Sequence, residues 1–371
     1  MSRNSILAAS ILAGTMIGAG IFSLPYVFNE VGILAGFFYL VFFASVYVAL
    51  YLMYAAVLRT REGRHDFSYF ADLYLPKKIS GLASLAILAE TIFVLTIYLV
   101  LAPTFISLIA ETNPLFAVSV FWFLGSIFIF ASLAWQGMAE LLGTLAIIFV
   151  VFVVIFLGGE SGFNAPLFKN LSVASFFLPF GPLLFSFAAR VAVSRMVDEE
   201  REAKKTSRPF SLKGAIFWGT FVPALVYFLF VLGILGLTDN VTPEALNSLE
   251  NLPSSLLAIF GILGLVTIWT SYFIIGANFR EILTEDKKVR PWIASALVLI
   301  LPLGLYFAGF RDFLPTLSFT GSVFLGLEGI FLITIWRRVF PHHPKKWLSW
   351  PLYLVFAVAL LYALFQMFLP S

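Results

Sequence analysis

The chain has 371 residues, of which 61% are hydrophobic and 12% charged, with a net charge of +3 and a mean hydropathy of +0.99. That composition excludes a water-soluble fold, because too much apolar surface would face solvent. With no cysteine, disulfides and thiol chemistry are excluded too. Stretches apolar all round, such as 141–157, read as helices that satisfy their own backbone in lipid. The alternation of a membrane β-barrel is absent.

A helix crosses the hydrocarbon with roughly 20 apolar residues. In chain order the sequence predicts eleven spans: 5–28, 32–58, 80–110, 114–134, 139–158, 171–197, 210–237, 254–283, 291–308, 313–337 and 347–369. The first follows Ser2-Arg3-Asn4 and ends in Phe22-Ser23-Leu24-Pro25 with no small-residue cleavage site, so it reads as span 1 and not as a signal peptide. Gly14-Thr15-Met16-Ile17-Gly18-Ala19-Gly20 interrupts it near its middle.

Beyond span 2, residues 67–75 lie among Asp66, Asp72, Lys77 and Lys78 and read either as an amphipathic surface helix that supports gating or as a connecting turn. Span 3 carries Glu90, and span 5 contains no lysine. Span 6 holds Pro179, Gly181 and Pro182, then Ser186 and Arg190, and residues 201–208 read as a solvated basic loop facing an anionic leaflet. Span 8 contains Thr270-Ser271 and span 10 contains Glu328. His65, His342 and His343 all fall in loops, in solvated or headgroup-facing positions.

Alternating the loops puts every lysine and arginine except Lys169 and Arg311 on one side. By the positive-inside rule the N-terminus is cytoplasmic and the C-terminus outside, in an inner or plasma membrane. Spans 1 and 6, the interrupted ones, each open a set of five. A unit of five spans repeated in tandem inserts its second copy upside down, so one transporter domain over 1–371 is expected. It comprises a first repeat at 1–160, an inverted second at 165–338 and an extra span at 345–371.

A break inside the membrane frees backbone groups that lipid cannot satisfy, so it survives where it lines a cavity or a ligand site. Amides beyond the break suit an anion, and carbonyls before it suit an ammonium or a metal cation. Gly14 and Gly18 also read as a Gly-x-x-x-Gly packing motif. Gly20, the Ile21-Phe22-Ser23-Leu24-Pro25 that follows it, and the second interrupted span favour the break.

The run from Gly14 to Pro25 resembles the first-span signature of the amino acid–polyamine–organocation superfamily. Within it the chain is most similar to amino acid permeases grouped with the aromatic amino acid permeases and the sodium-coupled neutral amino acid transporters. The resemblance covers essentially all eleven spans. It implies an all-α integral membrane fold of the LeuT type, a 5 + 5 inverted-repeat bundle with spans 1 and 6 discontinuous. It also implies that the amides of Gly18, Ala19 and Gly20 hold a substrate carboxylate and that the carbonyl of Met16 receives its amino group, with Thr15 among the substrate-binding residues. Ser186, Phe187 and Ala188 would complete the cradle, and Tyr98 would stand beside it. A coupling sodium ion would sit between Gly14 and Ile17 of span 1 and Thr270 and Ser271 of span 8. Taken alone, Thr270 and Ser271 read as hydroxyls bonding back to their own helix, and their alignment with span 1 favours the ion site. Some proton-coupled relatives carry a lysine on span 5, so its absence puts sodium ahead of the proton.

Glu90, Arg190 and Glu328 are costly at mid-membrane and call for a task or a partner. They read as gating or proton-coupling groups, or as a buried Arg–Glu pair or a carboxyl kept neutral by desolvation that locks helices together without cycling. The expected function is ion-coupled transport of a neutral, large or aromatic amino acid, with Ile21, Phe93, Phe187 and Tyr98 as walls. Arg190 leaves an acidic substrate open. An amino-acid sensor or partner subunit that does not translocate is the alternative. No nucleophile–base set, transition-metal cluster or phosphate loop points to an enzyme. The expected partners are the amino acid, Na+ or H+ and the lipid bilayer, with no nucleic acid and no further cofactor.

Overall fold

A computed structural model describes residues 2–63, 65–130, 133–159, 166–249, 252–344 and 346–368. The described residues form helices and turns, with no strand among them. Seven helices are long and apolar enough to cross a membrane, two further spans are helix pairs bent at a break, and two shorter apolar helices make up the expected eleven. The unbroken spans are Ile33–Leu58 (span 2), Lys77–Ser107 (span 3), Pro114–Phe128 (span 4), Leu133–Gly158 (span 5), Leu212–Leu237 (span 7), Ser254–Glu281 (span 8) and Pro291–Phe307 (span 9). Span 10 runs from Phe313 to Val339, and span 11 covers Ser349–Phe368. The expected junction of the repeats at 160–165 and part of the expected end of span 4 lie outside the described residues, as does residue 369 of span 11.

Helix starts follow local chemistry. Ser2, Asp66, Asn113 and Ser211 each accept a backbone N–H of the first turn, which satisfies a donor that the helix itself leaves over. Asp66 thereby starts the helix Phe67–Tyr74, whose Phe67, Phe70 and Ala71 are buried, so this segment is the surface helix and not a turn. The Ser2 hydroxyl donates to Pro209 O at 2.6 Å and the Ser211 N–H donates to Ser5 Oγ at 2.8 Å, pinning the start of span 1 to that of span 7.

Helices approach most closely where glycine faces glycine. A Cβ on Gly158 of span 5 would lie 3.0 Å from the carbonyl carbon of Gly233 on span 7. One on Gly321 of span 10 would lie 2.8 Å from the carbonyl carbon of Gly181 on span 6. Span 10 widens to a π-helix over Thr320–Leu325 where it meets span 6. Such insertions favour functional sites because they free backbone groups from the regular ladder.

The expected solvated loop at 201–208 is corrected by the structure. The second half of span 6 continues as helix to Lys205, because polar residues there pair along and across helices instead of entering lipid. Arg201 donates to the carbonyls of Leu58, Arg61 and Gly63 at 2.5–2.8 Å. Arg59 grips Glu200 with two bonds, Nε to Oε2 at 2.7 Å and Nη2 to Oε1 at 2.5 Å. Glu200→Ala should lower the unfolding midpoint of detergent-purified protein. The loss should be about 1–2 kcal/mol, because the fork is charge-assisted but Arg59 is partly solvated. An unchanged thermal melt would contradict that role.

Candidate functional site

Span 1 is helical over Arg3–Met16, passes through an extended Ile17 and a non-helical Gly18, and resumes as a 3₁₀ turn over Ala19–Ser23 and a helix over Leu24–Val31. The halves bend by 52°. The N–H of Ile17 still returns to Ala13 O, and Ile21 returns to Gly18 O at 3.3 Å. Between them the N–H groups of Gly18, Ala19 and Gly20 donate to no group among the described residues. Three adjacent amide donors therefore stand at the start of the second half.

Span 6 breaks in the same manner. Its first half comprises Val173–Phe177 and Phe180–Ser186, its second half Arg190–Lys205, and the two bend by 41°. The two breaks meet directly: a Cβ on Gly20 would strike the Ser186 side chain and lie 2.9 Å from its Cα. Only glycine permits that approach.

The freed carbonyls are held by tyrosines. Tyr227 of span 7 lies with its hydroxyl 2.6 Å from Met16 O and 2.8 Å from Ser186 O, joining the ends of both first halves. The Tyr51 hydroxyl bridges the second break, donating to Phe187 O and accepting from the N–H of Ala189, both at 2.6 Å. Tyr47 donates to Leu184 O at 2.6 Å. The sequence reading assigned none of these three a role. For the two on span 2 the signal was a stripe: Tyr47, Tyr51 and also Tyr54 recur on one face of an otherwise apolar helix.

Of the residues expected around the substrate, Gly18, Ala19, Gly20, Met16 and Ser186 come together at the junction. A Cβ on Gly18 would lie 3.9 Å from the Tyr98 hydroxyl, so Tyr98 faces the break, and its hydroxyl also comes within reach of Ser271. Phe187 is fully buried between the rings of Tyr47 and Tyr227, at 5.9 and 5.7 Å. Ser186 Oγ bonds back to Pro182 O at 2.8 Å. Ala188 adjoins Tyr51's bridge and is partly buried. Thr15 is exposed and bonds to Ile11 O of its own helix, away from the junction.

Around the expected cation position, Ile17 is buried and Gly14 faces Thr144 Oγ1 of span 5. Thr270 Oγ1 donates to Thr267 O at 3.0 Å and abuts Gly143. Span 5 thus touches both Gly14 and Thr270 through two successive residues, and the structure adds Thr144 to the neighbourhood.

The three charged candidates converge. Arg190, first residue of the second half of span 6, places Nε 3.1 Å from Glu328 Oε2 of span 10, both side chains being about nine-tenths buried at 12% and 8% exposure. The guanidinium lies over the Phe67 ring at 5.3 Å. Glu90 of span 3 lies near them, its Oε2 buried with no hydrogen-bond partner among the described residues.

A cavity of about 500 Å³ lined by Asp72, Lys77, Ser84 and Lys287, and one of about 290 Å³ lined by Ile92, Phe93, Ile300 and Gly304, both lie away from the junction. Met16, Ala19, Gly20 and Ser186 are buried, so the junction is closed to solvent in this conformation.

Apolar spans packed around two broken helices, with unengaged amides at the break, are the arrangement of the LeuT-type transporter fold. Solved structures agree on the fold. MhsT in complex with L-phenylalanine matches with a TM-score of 0.64 and 16% identity over 98% of each chain. Mhp1, a nucleobase-cation-symport-1 family transporter closed on bromovinylhydantoin, matches with a TM-score of 0.60 and 12% identity over 98% of this chain and 90% of its own. The Eremococcus coleocola manganese transporter, in complex with an aromatic bis-isothiourea compound, matches with a TM-score of 0.61 and 12% identity over 99% of this chain and 88% of its own. A search of curated protein sequences finds no match. Residues 3–283 match the family described as transmembrane amino acid transporter protein, and the chain belongs to that family.

Proposed function

We propose that the protein carries neutral amino acids, large or aromatic ones included, across the membrane by alternating access, driven by a sodium or proton gradient. One observation carries the reading: the three unengaged amides of Gly18, Ala19 and Gly20 lie where the breaks of spans 1 and 6 meet. A carboxylate satisfies such donors, helped by the positive end of the resuming helix. Met16 O keeps one lone pair beyond its bond to Tyr227 and is the acceptor for the substrate ammonium. Tyr98 borders the same space, and the presence of L-phenylalanine in MhsT is in keeping with an aromatic side chain there. Gly14, Ile17, Thr270 and Ser271, with Thr144, are the sodium candidates. The basic end of the bundle faces the cytoplasm, with the N-terminus there and the C-terminus outside.

The test is purified protein in liposomes, a tritiated mixture of the twenty protein amino acids outside, and sodium or pH gradients imposed separately. Gradient-driven accumulation of one or a few neutral amino acids is the expected result. Saturable binding without accumulation under either gradient would instead establish a non-translocating sensor.

A further inference from the structure

The two cavities away from the junction lie end to end on one face of span 3. The first, about 500 Å³, takes Leu85 and Leu88 from that helix, and the second, about 290 Å³, takes Ala89 and Ile92. Leu85 and Ala89, like Leu88 and Ile92, are one turn apart and so are neighbours on the same face. From Lys77 to Ile92 the helix rises about 22 Å. That matches the depth of one leaflet with its headgroups, about 20–22 Å. Leu85 and Ile300, one in each cavity, are exposed, so both cavities open on the flank of the bundle that faces lipid. Each is also lined by a glycine, Gly81 or Gly304, on which a Cβ would meet nothing within 4 Å.

The chemistry changes along this groove. Between spans 3 and 9 its walls are apolar, with Ile92, Ile300 and Leu301, and suit an acyl chain. At the basic end Lys77 opens span 3, and Lys287 follows the π-helical turn that closes span 8. Lys77 has no ion pair or hydrogen bond among the described residues, and Lys287 Nζ donates to Ser84 Oγ at 3.1 Å. Ser84 is buried, and its own hydroxyl hydrogen meets no acceptor among the described residues. Asp72, from the surface helix, accepts from Ser80 Oγ. Two lysines and one aspartate leave the lining with a net charge of +1. Surplus positive charge, two ammonium groups and a free hydroxyl donor fit a phosphate. Trp292, exposed at the start of span 9, marks this end as the membrane–water interface, the level at which headgroups lie.

We propose that this groove binds one anionic glycerophospholipid, with its phosphodiester between Lys77 and Lys287, a headgroup hydroxyl on Asp72 and an acyl chain between spans 3 and 9. A phosphodiester with an uncharged headgroup carries one negative charge, which equals the surplus of the lining. A zwitterionic lipid leaves that surplus uncompensated, and a free phosphate leaves the apolar trench unfilled. The surface helix, span 3 and the end of span 8 all contribute to the basic end, so the bound lipid ties the three together. The site lies apart from the substrate junction and requires only that the chain span a membrane, so it stands independently of the transport reading.

The test is native mass spectrometry of the delipidated protein in detergent, titrated with dioleoyl-phosphatidylglycerol, dioleoyl-phosphatidylcholine, dihexanoyl-phosphatidylglycerol or sodium phosphate. Wild type should bind one dioleoyl-phosphatidylglycerol roughly tenfold more tightly than the phosphatidylcholine, a difference of about 1.4 kcal/mol. The double variant Lys77→Gln, Lys287→Gln should lose most of that preference. The double variant Lys78→Gln, Lys288→Gln removes as much charge from the adjoining exposed residues, outside the cavity, and should keep it. Gly304→Leu should weaken binding of the dioleoyl lipid and leave the dihexanoyl one unchanged. Gly81→Leu fills the basic end without altering any charge and should reproduce the loss, which decides the matter if the lysine variant melts early. Equal losses in the two lysine variants, or equal affinity of wild type for the two dioleoyl lipids, would reduce the groove to a generally basic surface and overturn the proposal. Sodium phosphate binding as tightly as the dioleoyl lipid, with Gly304→Leu without effect, would make the cavity a site for free phosphate and overturn the lipid.

Discussion

Gly20→Ala is expected to reduce amino acid uptake between roughly fivefold and a hundredfold, while Gly18→Ala leaves uptake readily measurable. The two positions belong to one motif but meet different surroundings. A methyl on Gly20 would strike the side chain of Ser186 and lie 2.9 Å from its Cα, and backbone cannot rotate out of the way. The junction must therefore open, at the cost of overpacking, about 1–3 kcal/mol. Each 1.4 kcal/mol is a factor of ten in binding, which gives the stated range. A methyl on Gly18 meets only the Tyr98 hydroxyl at 3.9 Å, an ordinary contact, and φ there is −148°, so no left-handed backbone has to be held. Gly18→Leu should nevertheless abolish uptake, because its branched end would fill the space toward Tyr98. Equal uptake by Gly20→Ala and wild type, with both proteins folded by thermal melt, would remove the junction as the site.

The breaks were legible because glycine and proline announce them: Gly14 to Gly20 and Pro179 to Pro182 stand out from spans otherwise rich in Leu, Ile, Phe and Val. The convergence of Arg190 with Glu328 and Glu90 was half legible. Mid-membrane charges demand partners, but which ones follows only from how spans 3, 6 and 10 pack. Other features were hidden for definite reasons. Hydropathy reports contact with lipid, not helicity, so the polar stretch to Lys205 read as a loop although Lys204 pairs with Glu200 one turn earlier at 3.5 Å. The π-helix over Thr320–Leu325 lies where Gly321 passes closely against Gly181, a contact between distant segments with no local signature. Tyr227 looked like one aromatic residue among many, since 17% of the chain is aromatic and only the position of a hydroxyl distinguishes a strut from a packing ring.

Tyr227→Phe should raise the KM for uptake about tenfold and lower the thermal midpoint together. The change removes one oxygen from a side chain with no solvent exposure, and that oxygen lies against the carbonyls of Met16 and Ser186. Leaving a buried acceptor without a donor costs about 1–3 kcal/mol. The stability loss alone would follow from any such deletion. The KM effect follows from where the carbonyls lie: they terminate the first halves of spans 1 and 6, and the Met16 carbonyl is the proposed acceptor for the substrate ammonium. Untethered, it turns away from the junction, and the lost alignment appears in substrate affinity. Tyr47→Phe provides the control, because Tyr47 is nearly as buried but its hydroxyl serves Leu184 O, within the first half of span 6. It should lower the melt with little change in KM. A Tyr227→Phe protein that melts early yet keeps its KM would make the tyrosine a strut alone and would leave the ammonium without its proposed acceptor.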